Sequence, residues 1–232
     1  LTEERLFAWH AAIGQNKVKS FRTKESVAGT FTGVSPERIP LEIGRFIDWF
    51  ENSTQDGAIK AAIAHFWFLT IRPFEDGNGR IARALAAMLL ARSEDTTRCQ
   101  YALNEQILKD CDNYIQTSFK AQAGNGDLTE WILWFLNAMQ KSIEDSKKEI
   151  AGALKKILFL QKNQQADLSG RERKIIEAVW NGELPAVFSV KEVAALTGTS
   201  HDSALRDIQD LIQKEIVRPE NKGGRSQKYS LI

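Results

Sequence analysis

Residues 71–83 read IRPFEDGNGRIAR and place a two-glycine turn between two long apolar segments. The segment before the turn, AIKAAIAHFWFLTI, is apolar on nearly every face, which is typical of the central buried helix of a bundle. The segment after it, RIARALAAMLLARS, returns to a helical pattern. Because helical periodicity dominates the first two thirds of the 232 residues, we predict a mainly α-helical protein.

Further helices are predicted on both sides of this pair. Upstream they cover LTEERLFAWHAAI and LEIGRFIDWFEN. Downstream, NEQILKDCDNYIQTSFKAQ predicts one helix with Asn104 as its cap, and a long helix begins near Asp127 or Thr129. Residues 19–40 break the pattern with Thr, Val, Gly and Pro, which predicts a loop or a short β-hairpin.

The pattern changes from Leu168 onward. Three helical segments are followed by a strand, a Gly-Gly turn and a second strand, an order that predicts a C-terminal winged helix-turn-helix domain. The polar stretch QKNQQADLSG serves as the linker. We therefore expect a helical domain over residues 1–162, ending in a long helix, and a winged-helix domain over residues 163–232.

Composition and charge exclude several classes of protein. The net charge of +1 gives the chain no overall electrostatic attraction to nucleic acid or lipid. No apolar stretch is long enough to span a membrane. The charged start LTEERLFAWH is unlike a signal peptide. Cys99 and Cys111 have no metal-like spacing, so we expect buried thiols in a reducing cytoplasm. A first residue of Leu rather than Met predicts a fragment.

The turn itself has the residue types of an anion-binding site. Gly77 and Gly79 allow the backbone to approach a ligand and to adopt positive φ. Asn78 between them is predicted to cap a helix that begins at residue 79 or 80. The free amides and the dipole at such a helix start attract anions.

Three charged side chains complete the pattern. Arg80 and Arg83 are three residues apart, so both can face the same anion. Asp76 stands beside the turn, where a carboxylate can hold Mg²⁺ that bridges phosphates. The alternative is a plain chain reversal in which Asp76 and the two arginines form surface ion pairs.

IRPFEDGNGRIAR resembles the signature of the Fic family, His-Pro-Phe-x-(Asp/Glu)-Gly-Asn-Gly-Arg-x-x-Arg. Every fixed position matches except the first, where Arg72 stands in place of histidine. The resemblance implies a Fic-type helical bundle with a β-hairpin flap that aligns the target hydroxyl. It also implies transfer of AMP from ATP to a Ser, Thr or Tyr hydroxyl of a target protein. Gly79 favours this reaction, because the related Doc kinases tend to carry Lys at that position.

The resemblance further implies a role for each matched residue. The metal would be held by Asp76, the α-phosphate by Asn78, and the outer phosphates by Arg80 and Arg83, with backbone amides from Gly77 and Gly79. On the adenine side, Asn113 and Tyr114 are candidates by position. The alternative is a structural role for both residues, with Asn113 acting like a helix cap and Tyr114 packed on an amphipathic helix.

Arg72 occupies the position of the family's catalytic base. A general base needs an unprotonated nitrogen near the working pH, and a guanidinium does not provide one. Since general base catalysis typically contributes ~10²–10⁴ in rate, we expect ATP and Mg²⁺ to bind but transfer to be strongly impaired. No other histidine replaces it: His10 has no evident partner, His65 suits core packing, and His201 lies in the other domain.

The C-terminal domain leaves two functions open. Its candidate contacts with DNA or a partner protein are Arg206, Lys222, Arg225 and Lys228. From Leu168 onward, however, ten Lys and Arg face nine Asp and Glu, which is a weak charge for DNA binding. The alternatives are dimerisation or partner docking. For the whole chain, the alternative to a transferase is a transcriptional regulator or a DNA- or partner-binding protein that uses the winged helix, with the Fic core as a nucleotide-sensing or homo-oligomerisation platform.

Overall fold

The computed structural model describes residues 1–14, 20–220 and 227–232, and the described chain is mainly helical, as predicted. The elements up to residue 162 are α1 (Glu3–Ile13), β1 (Val27–Ala28), β2 (Phe31–Thr32), a 3₁₀ turn (Pro36–Arg38), α2 (Ile39–Asn52), α3 (Gly57–Ile71), α4 (Asn78–Ser93), α5 (Leu103–Lys109), α6 (Cys111–Ala123) and α7 (Thr129–Lys162). The remaining elements are α8 (Gly170–Asn181), β3 (Val187–Ser189), α9 (Val190–Thr197), α10 (His201–Gln213), β4 (Val217–Pro219) and β5 (Lys228–Leu231).

The chain divides into two compact units, Leu1–Lys147 and Lys148–Ile232. The division falls inside α7, whereas the sequence places the boundary after residue 162. The physical reason is Phe159, which lies on α7 and is buried in the core of the second unit. Its ring contacts Trp180 of α8 at a centroid distance of 5.6 Å.

The core of the first unit is built around α3. Asp56 caps this helix, its Oδ1 accepting the amide of Ala58 at 3.0 Å. From α7, Trp131 is fully buried and its Nε1 donates to the carbonyl of Ala62 at 2.8 Å. The largest buried side chains around these helices are aromatic: Phe46, Phe50, Phe68, Phe74, Trp131 and Phe135. Burial of this much aromatic surface is the main favourable contribution to the stability of the unit.

One predicted helix is in fact two. The prediction of a single helix from Asn104 is wrong, because the chain leaves helical geometry at Asp110, with φ −118° and ψ 36°. The Asp110 carboxylate accepts Trp134 Nε1 at 2.8 Å and Asn113 Nδ2 at 2.6 Å. The residue before α5 is Ala102, so Asn104 is not its cap.

The cysteine prediction also needs correction. Cys111, the first residue of α6, is exposed, and Cys99 is only half-buried. Both are free thiols. Burial in the loop before α5 raises the pKa of the Cys99 thiol.

The predicted hairpin is present and lies against α6. β1 and β2 are antiparallel, with Val27 opposite Thr32 and Ala28 opposite Phe31. Gly29 in the turn has a φ of +57°, and an added Cβ would lie 2.5 Å from the Phe119 ring. Glycine therefore meets both the turn geometry and the close approach to α6.

The second unit combines the C-terminal part of α7, the helices α8, α9 and α10, and a small antiparallel sheet of order β3-β5-β4. β4 and β5 correspond to the predicted strands, whereas β3 has only three residues and was not predicted. Two capping boxes fix the starts of α8 and α9, formed by Ser169 with Glu172 and by Ser189 with Glu192. Among the described residues, no helix is long and apolar enough to cross a membrane.

Candidate functional site

The loop between α3 and α4 begins with a backbone conformation that is rare for its residue type. Arg72 ends α3 with φ 49° and ψ 61°, in the left-handed region. Its amide still donates to the carbonyl of Phe68 at 3.0 Å. A non-glycine residue in this region costs of order 1–3 kcal/mol, and such residues cluster at functional sites.

Asn78 holds the loop in shape from within. Its Oδ1 accepts the amide of Phe74 at 3.0 Å, and its Nδ2 donates to the carbonyl of the same residue at 2.8 Å. α4 begins at Asn78 with Gly77 as the N-cap, so the prediction that Asn78 caps a later start is wrong. Gly77 has a φ of 74° and no side chain, and no side-chain hydrogen bond caps α4. The first amides of α4 thus keep the character of an anion-binding helix start.

Both motif arginines lie against the glycines of the loop. Arg80 Nη2 is 3.8 Å from the position that a Cβ on Gly77 would take, and Arg83 Nη1 is 3.6 Å from that of Gly79. A Cβ at position 77 or 79 would thus be in van der Waals contact with these groups. The two guanidinium groups and the start of α4 therefore border the same short stretch of backbone.

Asp76 is the acidic member of this group. Its side chain is 79% exposed, and Oδ2 lies 3.7 Å from Arg80 Nη2. Among the described residues, no cluster of three or more His, Cys, Asp or Glu side chains forms a preassembled metal site. A single exposed carboxylate nevertheless fits Mg²⁺ that arrives with a nucleotide, because such Mg²⁺ uses one or two carboxylates together with phosphates and water.

His10 joins the loop from α1, which the sequence analysis did not anticipate. Its ring is buried and stacks on Phe74 at a centroid distance of 4.3 Å. Its Nε2 lies 3.6 Å from Asp76 Oδ1. The available signal was the spacing of Leu6 and His10, since residues four apart share a helix face and Leu6 is fully buried.

The side chain of Arg72 turns toward the hairpin. Its Nε donates to Ser26 Oγ at 3.2 Å, just before β1. Its stem packs so closely on Gly33, just after β2, that an added Cβ there would lie 3.1 Å from Arg72 Cβ. Burial lowers the pKa of Arg72, but a guanidinium is not deprotonated in proteins. Arg72 is therefore a cation that contacts the hairpin region.

Arg22, which no sequence pattern indicated, joins the hairpin region to the end of α3. Its Nε donates to the carbonyl of Arg72 at 2.6 Å, and its Nη2 to that of Ile71 at 3.4 Å. On the hairpin side, the guanidinium donates to the carbonyls of Lys24 and Val34. Burial and the nearby Arg72 cation lower the pKa of Arg22. We call Arg22 and these four carbonyls the Arg22 clamp.

Two further titratable groups lie behind the loop. His65, on α3, is fully buried, and its Nε2 is 3.0 Å from the hydroxyl of Tyr114 on α6. Burial, with a smaller effect of the Arg83 cation, lowers the pKa of His65 to about 3. Burial raises the pKa of Tyr114 to about 12. His65 is thus a neutral core histidine, and neither group is poised to exchange protons near pH 7.

The two adenine-side candidates lie in different environments. Asn113 is exposed and donates to the Asp110 carboxylate. Tyr114 packs among the aromatic rings of the core, with its ring centroid 5.3 Å from that of Trp134. A cavity of about 350 Å³ includes neither candidate and no residue of the loop in its lining, which consists of Gln106, Lys109, Asp110, Trp134, Asn137, Ala138 and Lys141.

Comparison with known proteins identifies the region that carries this loop. The Fic/DOC family matches residues 1–90, which include the whole loop and the hairpin. This region is a Fic/DOC family domain. The Fic/DOC domain contains the whole segment from Arg72 to Arg83.

Two relatives of the Fic/DOC domain are named as a protein adenylyltransferase or a probable one. A protein adenylyltransferase of Caenorhabditis elegans is 40% identical over 75 residues, which are 31% of this chain and 15% of that protein. A probable protein adenylyltransferase of Aquifex aeolicus is 34% identical over 83 residues, which are 34% of this chain and 26% of that protein. The matches thus span about a quarter or less of these relatives.

A solved structure shares the fold of the Fic/DOC domain and of the rest of the chain. The Fic family protein from Desulfovibrio desulfuricans G20 aligns with a TM-score of 0.58, covering 100% of this chain and 69% of the other. Its sequence identity is 18%, so the likeness concerns the fold alone.

The candidate contacts of the second unit are only partly described. Arg206 on α10 and Lys228 at the start of β5 are exposed. Lys222 and Arg225 lie outside the described residues. Two other charged residues of α10 and its C-terminal end have internal partners: Asp207 binds Arg171 at 2.8 Å, and Lys214 binds Glu172 at 2.6 Å.

Proposed function

We propose that this chain is a Fic-type protein adenylyltransferase scaffold that binds ATP with Mg²⁺ and transfers AMP poorly because Arg72 replaces the catalytic base. The products of the full reaction would be a target protein with AMP on a Ser, Thr or Tyr hydroxyl, and pyrophosphate. The proposal draws on the Fic/DOC domain, on relatives named adenylyltransferases, and on the geometry of the loop.

The placement of both guanidinium groups against Gly77 and Gly79 carries the proposal. A triphosphate needs cations and amide donors converging on one place, and here the start of α4 supplies the amides. Arg80 is 48% exposed in its side chain, so it can leave Asp76 for a phosphate without losing a buried contact. A plain chain reversal does not require either glycine to border a guanidinium.

Asp76 is the residue that would hold Mg²⁺. When bound, the ion would neutralise phosphate charge and orient the leaving pyrophosphate. To hold the ion, the protein must keep one carboxylate exposed at the loop. Asp76 meets that condition, because its carboxylate oxygens lie 3.6 Å from His10 Nε2 and 3.7 Å from Arg80 Nη2.

Arg72 affects the reaction in two ways. It has no lone pair that could take the proton of an attacking hydroxyl. It also binds Ser26, so the hairpin edge that would align the hydroxyl is tied to a cation. Nucleotide binding should survive both effects, because an added positive charge does not repel ATP.

The first prediction concerns the variant Arg72→His. Both proteins should give a calorimetric binding signal with ATP and Mg²⁺, and Arg72→His should label itself or a target protein with α-³²P-ATP at least about 100-fold faster. Arg72→Gln is the matched control, since it removes the cation without providing a base. It should bind ATP and remain as slow as the original chain.

Two results would oppose the proposal. If ATP gives no binding signal in any of the three proteins, the loop is not a nucleotide site and the unit is a helical interaction domain. If Arg72→His binds ATP but labels nothing above Arg72→Gln, the transferase function is wrong.

We further propose that the second unit is a winged helix that docks a partner protein. The order of α8, β3, α9, α10, β4 and β5 supports this assignment. The exposed face of α10 mixes Arg206 with Asp202 and Asp210, a balance that favours a protein partner over the phosphate backbone of DNA.

A further inference from the structure

The C-terminal end of α1 contacts the loop between α3 and α4 at two points. Arg80 Nη1 donates to the carbonyl of Ile13 at 3.2 Å. One turn earlier, His10 covers Phe74 and lies against Gly77, where an added Cβ would be 3.7 Å from Nε2. α1 therefore touches one side chain assigned to phosphate and, through His10, the side chain assigned to the metal.

The orientation of His10 is specific. Its Nδ1 is buried and has no hydrogen-bond partner among the described residues, while its Nε2 faces Asp76. A neutral imidazole carries its proton on one of the two nitrogens, and the partner of each nitrogen determines which. Because a carboxylate accepts a proton and the Nδ1 side offers no acceptor, the contacts favour the proton on Nε2.

We propose that His10 is a positioning residue for Asp76, holding Oδ1 so that Oδ2 is directed to the Mg²⁺ of a bound nucleotide. This inference rests on the proposed function, since it requires Asp76 to meet a metal. The present separation of 3.6 Å exceeds a hydrogen bond, and rotation of the exposed Asp76 side chain closes it. Arg80 is then released from Oδ2 for the phosphates.

Residues that orient a metal ligand contribute measurably to metal affinity. Removing such a partner typically costs 10–100-fold, because the carboxylate must then be ordered by the metal itself. A purely structural histidine, by contrast, would act only on stability, through its stacking on Phe74. The two roles can be separated because phenylalanine preserves the ring and glutamine preserves the donor.

The experiment compares His10→Phe with His10→Gln by calorimetry. ATP affinity is measured once with Mg²⁺ and once with EDTA. We expect His10→Phe to reduce the gain in affinity that Mg²⁺ provides by about tenfold, with unchanged affinity in EDTA. His10→Gln should restore most of that gain, since its Nε2 amide donates from a similar place. If His10→Phe remains folded with an undiminished Mg²⁺ gain, the proposal is wrong.

A second measurement does not depend on ATP. The chain has three histidines, so a long-range ¹H–¹⁵N spectrum resolves each imidazole. We expect His10 to carry its proton on Nε2 and its signals to shift in Asp76→Ala, while those of His65 and His201 stay in place. A proton on Nδ1, or no response to Asp76→Ala, would refute the contact. If ATP fails to bind while this spectrum behaves as expected, the proposed function has failed and the His10–Asp76 contact has not.

Discussion

Asn78 and Arg72 make contacts in the folded loop that their positions in the motif do not predict. Asn78, assigned by resemblance to a phosphate, uses both ends of its amide on the backbone of Phe74. It therefore shapes the loop from within. Arg72 adopts a left-handed backbone and its Nε donates to Ser26 Oγ, so the residue at this position determines contacts of the hairpin region.

His65 should make stability depend on pH in a defined window. Its pKa is about 3 in the folded chain against an ordinary value near 6.5, so the unfolded chain binds a proton that the folded chain excludes between these values. The free energy of unfolding should thus fall by up to about 1.4 kcal/mol per pH unit as the pH drops below about 6.5.

Urea unfolding at several pH values, with His65→Gln as the comparison, checks this slope. Carboxylates act equally in both proteins, so the difference between the two curves isolates His65. Parallel curves between pH 7 and pH 4 would show that His65 is protonated inside the folded protein.

At the level of elements, the Arg22 clamp joins the hairpin region to α3. A buried guanidinium usually pairs with a carboxylate, but the guanidinium of Arg22 donates hydrogen bonds to carbonyls at the end of α3 and on both sides of the hairpin. The clamp fixes the carbonyl of Arg72 and hence the point at which α3 ends. The loop geometry therefore depends on a residue 50 positions away.

The variant Arg22→Met should test the clamp. Methionine keeps much of the apolar stem but leaves the carbonyls without a donor, so we expect a loss of about 3 kcal/mol in the free energy of unfolding. Arg45→Met is the control: Arg45 is exposed and pairs with Glu42 at 3.3 Å, so this substitution should cost less than about 1 kcal/mol. Equal losses in urea unfolding would mean that the carbonyls find water instead.

At the scale of the whole molecule, the described residues form two hydrophobic cores. The first contains the aromatic cluster around α3, and the second contains Phe159, Ile175 and Phe188 among others. The second unit lacks the excess of positive charge that is typical of DNA-binding domains, since ten Lys and Arg face nine Asp and Glu from Leu168 onward. Asp207 and Lys214 are engaged in internal ion pairs, and Arg206 stands between two exposed acids.

We predict that the full chain does not bind duplex DNA in a salt-dependent manner. Fluorescence anisotropy of a labelled duplex should stay flat at about 50 mM and about 200 mM salt, since few phosphates would be neutralised. The opposite result would be binding that weakens steeply with salt, is lost in Arg206→Glu and is kept in Lys174→Glu, an exposed position on α8.

The sequence by itself determined the helical class, the hairpin, the C-terminal helices with their final two strands, and the residues of the loop. These features depend on local signals: helical periodicity, turn residues and a contiguous motif. It misjudged the helix around Asp110, because a long-range bond from Trp134 overrides local propensity there. Only the tertiary structure brought His10, Arg22 and Ser26 to the loop. Their contacts join residues that are far apart in sequence, and no spacing rule records which buried side chains will meet once the helices pack.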